Sequence, residues 1–199
     1  GNTMVDALVE MLPLIDKCKV QEELGITDKY CVATFHRPVN VDDDKNLAII
    51  VETLCRIAEK LTVVFPVHPR TLKQLEKCGL KSKLENSRVK LTEPQGYIEF
   101  LKLVKDSSCV ISDSGGIQTE TSYFNVPCFT IRETSELKVT IEDGTNTLLP
   151  MDASVIAGNV NDVLNGKRKH ARQLQVWDAK ASERIVEEVK KFFGQRQGK

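Results

Sequence analysis

The sequence carries no excess of charge of either sign. Its 28 Lys and Arg residues match 28 Asp and Glu residues, so no overall field draws the chain to nucleic acid or to an anionic membrane. Anion binding, if there is any, has to be built locally. No run approaches the roughly 20 consecutive apolar residues that cross a bilayer. The opening GNTMVDALVEMLPL lacks the charged, apolar and small-residue zones of a signal peptide, and the chain reads as cytoplasmic. Its cysteines, Cys18, Cys31, Cys55, Cys78, Cys109 and Cys128, form no C-x-x-C pair and no Cys/His cluster at metal-ligand spacing. Cys31, Cys109 and Cys128 sit inside apolar runs, which predicts buried free thiols rather than a disulfide framework. Three nucleotide and hydrolase signatures are also absent: G-x-x-x-x-G-K-[ST], G-x-G-x-x-G and G-x-S-x-G. P-loop kinase or ATPase chemistry, the common dinucleotide fingerprint and a serine nucleophile elbow are thereby set aside.

What remains is ordinary globular material. With 199 residues, 41% apolar and 28% charged, the chain is too rich in core-forming side chains for intrinsic disorder. A domain of this size removes roughly 70% of its unfolded surface from water, and a second full domain does not fit. Short β-branched runs alternate with segments of helical period and predict strands at 30–35, 62–67, Val89–Thr92, 109–112, Cys128–Ile131 and 147–149. Most are continuously apolar, as strands buried on both faces of a parallel sheet must be. Between the first two, Asp42, Asp43 and Asp44 precede Leu47, Ile50, Val51, Leu54, Ile57 and Ala58, an acidic helix start followed by one apolar stripe. Further helices are expected at 4–18, 70–77, Tyr97–Lys105, Gly116–Phe124, Ala153–Leu164 and 182–193, with a polar, frayed tail at 194–199. There is no internal repeat, low-complexity tract or Pro/Gly-rich linker. The fold class is α/β, a Rossmann-like doubly wound parallel sheet in one domain spanning 1–199.

In such a sheet ligands bind beyond the carboxyl ends of the strands, where helix N-termini point free N–H groups outward. The unusual residues fall there. His36-Arg37-Pro38 follows the first strand, His68-Pro69-Arg70 the second and Asp113-Ser114-Gly115-Gly116 the fourth. Ser114, Gly115 and Gly116 open a helix and offer a hydroxyl and backbone N–H groups to a phosphate or diphosphate. Glu120, one turn into that helix, is placed either to accept hydrogen bonds from a ribose diol or to face solvent as an ordinary helix glutamate. The third histidine, His170, lies in the basic stretch KRKHAR, read as a solvated loop rather than a binding patch. The residues by themselves predict a domain that binds a phosphorylated small molecule and leave the reaction open.

At these positions the chain resembles the UDP-N-acetylglucosamine 2-epimerase family of the non-hydrolysing type, in its C-terminal half. The likeness runs through GNTMVDAL, ATFHRPVNVDD, FPVHPRT, EPQGYIEF, SDSGGIQTE, IRETSE, DGTNTLLP and AKASERI, in family order over nearly the whole chain. It implies the C-terminal half of a GT-B fold, with the N-terminal half that acts on the sugar C2 proton lying outside these 199 residues. The implied reaction interconverts UDP-GlcNAc and UDP-ManNAc by elimination and re-addition of UDP, without metal or redox cofactor, and this half alone is expected to bind UDP and turn over nothing. A homodimer and a place in surface polysaccharide synthesis are implied in the same way; nucleic acid and membrane are not.

The resemblance also assigns roles. His36 matches the catalytic histidine that reaches the diphosphate; Ser114, Gly115 and Gly116 match the phosphate cradle and Glu120 the ribose carboxylate. Gln95 and Phe100 match contacts to uridine. Arg37 and His68 resemble positions of a second, regulatory UDP-GlcNAc site of some bacterial members, and Arg70 is expected to brace its loop through a carboxylate. Two departures stand out. Where the family commonly reads T-E-R-P this chain has Ser135-Glu136-Leu137-Lys138, so Lys138 supplies charge beside the place of a lost arginine without its bidentate geometry. Val39 stands where many members carry an acidic residue. On the same architecture a hydrolysing epimerase, a glycosyltransferase donor domain and a non-catalytic nucleotide-sugar sensor are the alternatives.

Overall fold

The computed structural model describes residues 1–172, 174 and 177–194. The elements run α1 (Thr3–Lys17), α2 (Val20–Glu23), β1 (Tyr30–Thr34), α3 (Pro38–Val41), α4 (Asp44–Ala58), β2 (Thr62–Pro66), α5 (Pro69–Lys77), α6 (Lys81–Glu85) and β3 (Val89–Thr92). They continue with α7 (Tyr97–Lys105), β4 (Val110–Ser112), α8 (Gly116–Phe124), β5 (Cys128–Ile131), α9 (Lys138–Glu142), β6 (Asn146–Leu149), α10 (Ala153–Leu164) and α11 (Ala181–Gly194). The sheet is six-stranded and parallel throughout, in the order β3-β2-β1-β4-β5-β6. The order reverses between β1 and β4, which is the switch point where a doubly wound sheet opens a crevice.

Strand alternation explains why both faces are dry. In β1, Cys31 and Ala33 join Leu47, Ile50, Leu54 and Ile156 in one cluster, while Tyr30 and Val32 join Leu103, Val104, Val110 and Ile117 in another. Successive side chains of a strand point to opposite faces, so α4 and α10 cover one side and α7 and α8 the other. A third cluster, Leu8, Ile15 and Leu101, seats α1 on α7. Cys31, Cys109 and Cys128 are buried free thiols, as their apolar surroundings predict.

All six predicted strands form, with ends displaced by a residue or so: β1 and β2 each stop one residue early, β4 starts at Val110, and β6 starts at Asn146. The last shift has a cause. Asn146 pairs with Cys128 in the sheet, and its buried carboxamide is fixed by Thr130 Oγ1 at 2.6 Å. The acid-start helix forms as α4, with Asp43 as its N-cap accepting from the Asn46 amide at 2.8 Å. Four one-turn helices, α2, α3, α6 and α9, carry too few residues to show a period and were not predicted. Gly194, expected to begin a frayed tail, instead ends α11, and the rest of that tail, 195–199, lies outside the described residues. The KRKHAR stretch is mostly exposed, but it is not merely solvated. Lys169 Nζ donates to the carbonyls of Ile141 and Asn146, and the Arg172 amide donates to Asp143 O at 2.7 Å, so the stretch fastens α9 and β6 from outside. Among the described residues no helix is long and apolar enough to cross a membrane.

Candidate functional site

The carboxyl ends of β1 and β4 lie side by side, with Thr34 paired to Ser112. The loops that leave them are joined by one fully buried carboxylate. Asp113 accepts from the His36 amide at 3.1 Å, from the Arg37 amide at 3.0 Å and from Asn40 Nδ2 at 3.0 Å. Its Oδ1 also stands 3.3 Å from His36 Nδ1. A buried charge is tolerated only when donors surround it, and here the donors come from the His36 loop, so neither loop can move without the other. In this way His36 is held beside the turn that carries Ser114, Gly115 and Gly116.

The turn itself is partly occupied. The Ser114 amide donates to Ser112 Oγ at 2.9 Å, so it is not available to a ligand. The amides of Gly115 and Gly116 have no acceptor among the described residues, and they stand at the positive end of α8. Side chains here would crowd them: a Cβ on Gly115 would lie 3.1 Å from Glu136 Oε1, and one on Gly116 would lie 3.2 Å from Met4 Cε. Glu136 is there because Arg132, only 14% exposed, grips it at 2.8 Å. The Arg132–Glu136 pair across Gly115 is a feature that sequence reasoning missed; the string IRETSE held both residues, four apart.

Glu120 is no solvent-facing helix glutamate. It is only 7% exposed, and burial pushes its carboxyl up to about 7. Its charge reaches Tyr97, whose phenol is raised chiefly by its own burial and further by Glu120. Tyr97 therefore belongs beside Glu120, although sequence reasoning singled out only its neighbours. Gln95 lies in the β3–α7 loop with Nε2 bonded to Glu93 O at 2.9 Å, and Phe100 packs half-buried on the Val104 and Ile117 cluster. Both are thus on the α7 side of the crevice, the side on which Glu120 lies.

The remaining predicted residues differ in how they sit around this group. The His68 ring centroid is 5.8 Å from that of His36, but its Nδ1 caps α5 by accepting from the Arg70 amide at 3.2 Å. Arg37 lines a cleft of about 720 Å³ with Asn40, Arg132, Thr134, Leu149 and Met151, and its charge reaches Glu136, whose carboxyl is held below the usual range chiefly by hydrogen bonds and further by Arg132 and Arg37. Lys138 is exposed at the start of α9, and its side chain makes no hydrogen bond or ion pair among the described residues. Arg70 braces its loop as expected, donating through Nε at 3.0 Å and Nη2 at 2.6 Å to the Asp42 carboxylate, which it holds below the usual carboxylate range.

Behind the turn lies a buried polar network that sequence reasoning also missed. Gln118 Oε1 accepts from Ser135 Oγ at 2.6 Å and from Asn146 Nδ2 at 2.9 Å, while Gln118 Nε2 donates to Ser114 O at 3.2 Å. Thr140 Oγ1 lies 3.3 Å from the same acceptor. Gln118 was visible in the GGIQTE string, but its partners, dispersed over β6 and two loops, gave no local signal.

Comparison with known proteins places the chain in a family and on a fold. The family model for UDP-N-acetylglucosamine 2-epimerase matches residues 1–190. The chain belongs to the UDP-N-acetylglucosamine 2-epimerase family. A UDP-N-acetylglucosamine 2-epimerase of Methanococcus maripaludis is 39% identical over 175 residues, which cover 84% of this chain and 48% of the relative. A UDP-2,3-diacetamido-2,3-dideoxy-D-glucuronate 2-epimerase of Pseudomonas aeruginosa is 36% identical, covering 85% of this chain and 46% of the relative. The solved Methanocaldococcus jannaschii UDP-GlcNAc 2-epimerase, in complex with UDP-GlcNAc and UDP, matches with a TM-score of 0.84 at 36% identity, covering 95% of this chain and 53% of that one. The chain spans about half the length of these relatives, and its Rossmann-like sheet is the C-terminal half of their GT-B-type plan.

Proposed function

We propose that this epimerase-family chain is the UDP-binding domain of an enzyme that interconverts UDP-GlcNAc and UDP-ManNAc by eliminating UDP and adding it back to the inverted C2. The observation that carries the reading is the Asp113 tie, which joins the His36 loop to the turn whose Gly115 and Gly116 amides have no acceptor among the described residues. Elimination builds negative charge on the departing diphosphate, and preorganised donors that meet that charge lower the barrier by about 3 kcal/mol apiece. The Gly115 and Gly116 amides, the N-terminus of α8 and the Ser114 hydroxyl supply such donors. His36 meets the diphosphate from the other loop. Glu120 receives the ribose diol, and Gln95 and Phe100 flank the uracil on the α7 side. Lys138 adds positive charge near the sugar, and Arg37 and His68 serve a second, regulatory nucleotide-sugar site.

In this reading residues 1–199 form one domain. The groups that move the C2 proton come from an N-terminal half, the whole enzyme is a cytoplasmic homodimer, and the isolated chain binds UDP without turnover. Calorimetric titration of the chain with UDP tests the cradle: a saturable heat supports it, and no response at millimolar ligand counts against it. Incubation of the full-length enzyme with UDP-GlcNAc separates the chemistries. UDP-ManNAc as product supports the proposal, free ManNAc with UDP points to a hydrolysing epimerase, and no product without an acceptor points to a transferase.

A further inference from the structure

The two histidines at the crevice are held by opposite kinds of partner. His36 Nδ1 stands 3.3 Å from Asp113, a fully buried carboxylate that already collects three N–H donors. An ionised carboxylate attracts an N–H and repels a bare nitrogen lone pair, so at that distance its charge favours the proton on Nδ1. His68 is the reverse case. Its Nδ1 accepts from the Arg70 backbone amide at 3.2 Å, so in the neutral ring that nitrogen is bare and the proton sits on Nε2.

The geometry points to Asp113 as the positioning residue of the site: it fixes His36 as the Nδ1–H tautomer and presents Nε2 to the ligand diphosphate, while His68, 5.8 Å away, is locked in the opposite tautomer. The part that names the diphosphate rests on the nucleotide-binding reading above; the tautomers do not. The arrangement gives His36 one settled function. When the ring is protonated, Nε2–H donates to a phosphate oxygen while Nδ1–H stays on Asp113, and the imidazolium is held between two anions. A freely rotating imidazole would have to be ordered on each binding event.

Long-range proton–nitrogen correlation on the nitrogen-15-labelled chain reads this directly, since there are only three histidines to assign. In the neutral rings, His36 is expected to carry its proton on Nδ1 and His68 on Nε2. A His36 ring protonated on Nε2, or mixed between the two, overturns the assignment. Asp113→Asn is expected to shift His36 toward Nε2–H, to leave His68 as it was and to weaken UDP binding on the order of tenfold, one charge-assisted contact's worth. An unchanged His36 pattern in the folded variant overturns the role of Asp113. Should that variant fail to fold, the wild-type spectrum decides alone. Added UDP is expected to move the His36 Nε2 resonance. If both rings ignore UDP, the presentation of Nε2 to a diphosphate and the nucleotide reading fail together, whereas a wrong tautomer with a clear UDP response sinks the inference and spares the nucleotide reading.

Discussion

Ser135 Oγ donates to Gln118 Oε1 at 2.6 Å, and through this contact the loop after β5 is fastened to the helix that begins at the paired glycines. Gln118 is wholly buried and also bonds to Asn146 and to the Ser114 carbonyl, so its removal orphans several polar groups at once. Each orphan costs about 1–3 kcal/mol. Gln118→Ala is therefore expected to lower unfolding stability by about 3 kcal/mol, read from the midpoint of urea denaturation. A loss below about 1 kcal/mol would mean that water fills the gap and that the network does not hold the loop.

Gly115 has a φ of −77°, a backbone that any residue adopts, so its lack of a side chain is about space alone. Gly115→Ala would set a methyl 3.1 Å from Glu136 Oε1, beside the amide that the ligand needs. Glu136 is 61% exposed in its side chain and can swing away, so stability should change by less than about 1 kcal/mol. Binding of UDP and of inorganic pyrophosphate is expected to weaken together, about tenfold, in parallel calorimetric titrations. Unchanged affinity for both would remove Gly115 from the cradle.

The sheet was legible because buried parallel strands are continuous apolar runs and crossover helices carry an apolar stripe. Asp43 before Leu47 announces α4 from the sequence alone. The crevice was legible for a related reason: in a doubly wound sheet, whatever follows a strand lands on one edge, so His36, His68 and the Ser114-Gly115-Gly116 turn had to meet there. What escaped was set by tertiary partners. Nothing local tells that Asp113 reaches the His36 amide, that Arg132 lays Glu136 across Gly115, or that Lys169 caps the Ile141 and Asn146 carbonyls. The exposure of Glu120 escaped as well, because helix spacing gives a direction but not what covers it.

Glu120→Ala separates ribose recognition from phosphate recognition. The carboxylate sits one turn into α8, beyond the free amides, so it can meet a nucleoside but not the diphosphate beside the glycines. At pH 8, where the carboxyl is ionised, UDP binding is expected to weaken by on the order of tenfold or more, the loss of hydrogen bonds to a charged acceptor, while inorganic pyrophosphate binds as before. Equal loss for the two ligands would show that Glu120 acts by shaping the turn.

The same carboxylate makes stability depend on pH with a definite sign. In the unfolded chain Glu120 ionises near the ordinary value of 4.5, and in the folded domain burial holds its proton until about 7. Between these values the native state binds more protons than the unfolded state, so rising pH favours unfolding. Stability from this residue is complete below about pH 4.5 and is lost as pH climbs through about 7, by about 3 kcal/mol for the full shift. Glu120→Gln keeps the shape and cannot ionise. Urea unfolding of both proteins at pH 5 and pH 8 is expected to show the variant gaining on the wild type by about 2.5 kcal/mol as pH rises, because part of the shift already lies below pH 5. Parallel curves for the two would mean that water or a neighbouring donor reaches the carboxylate and that it is already ionised at pH 5, at about its ordinary value.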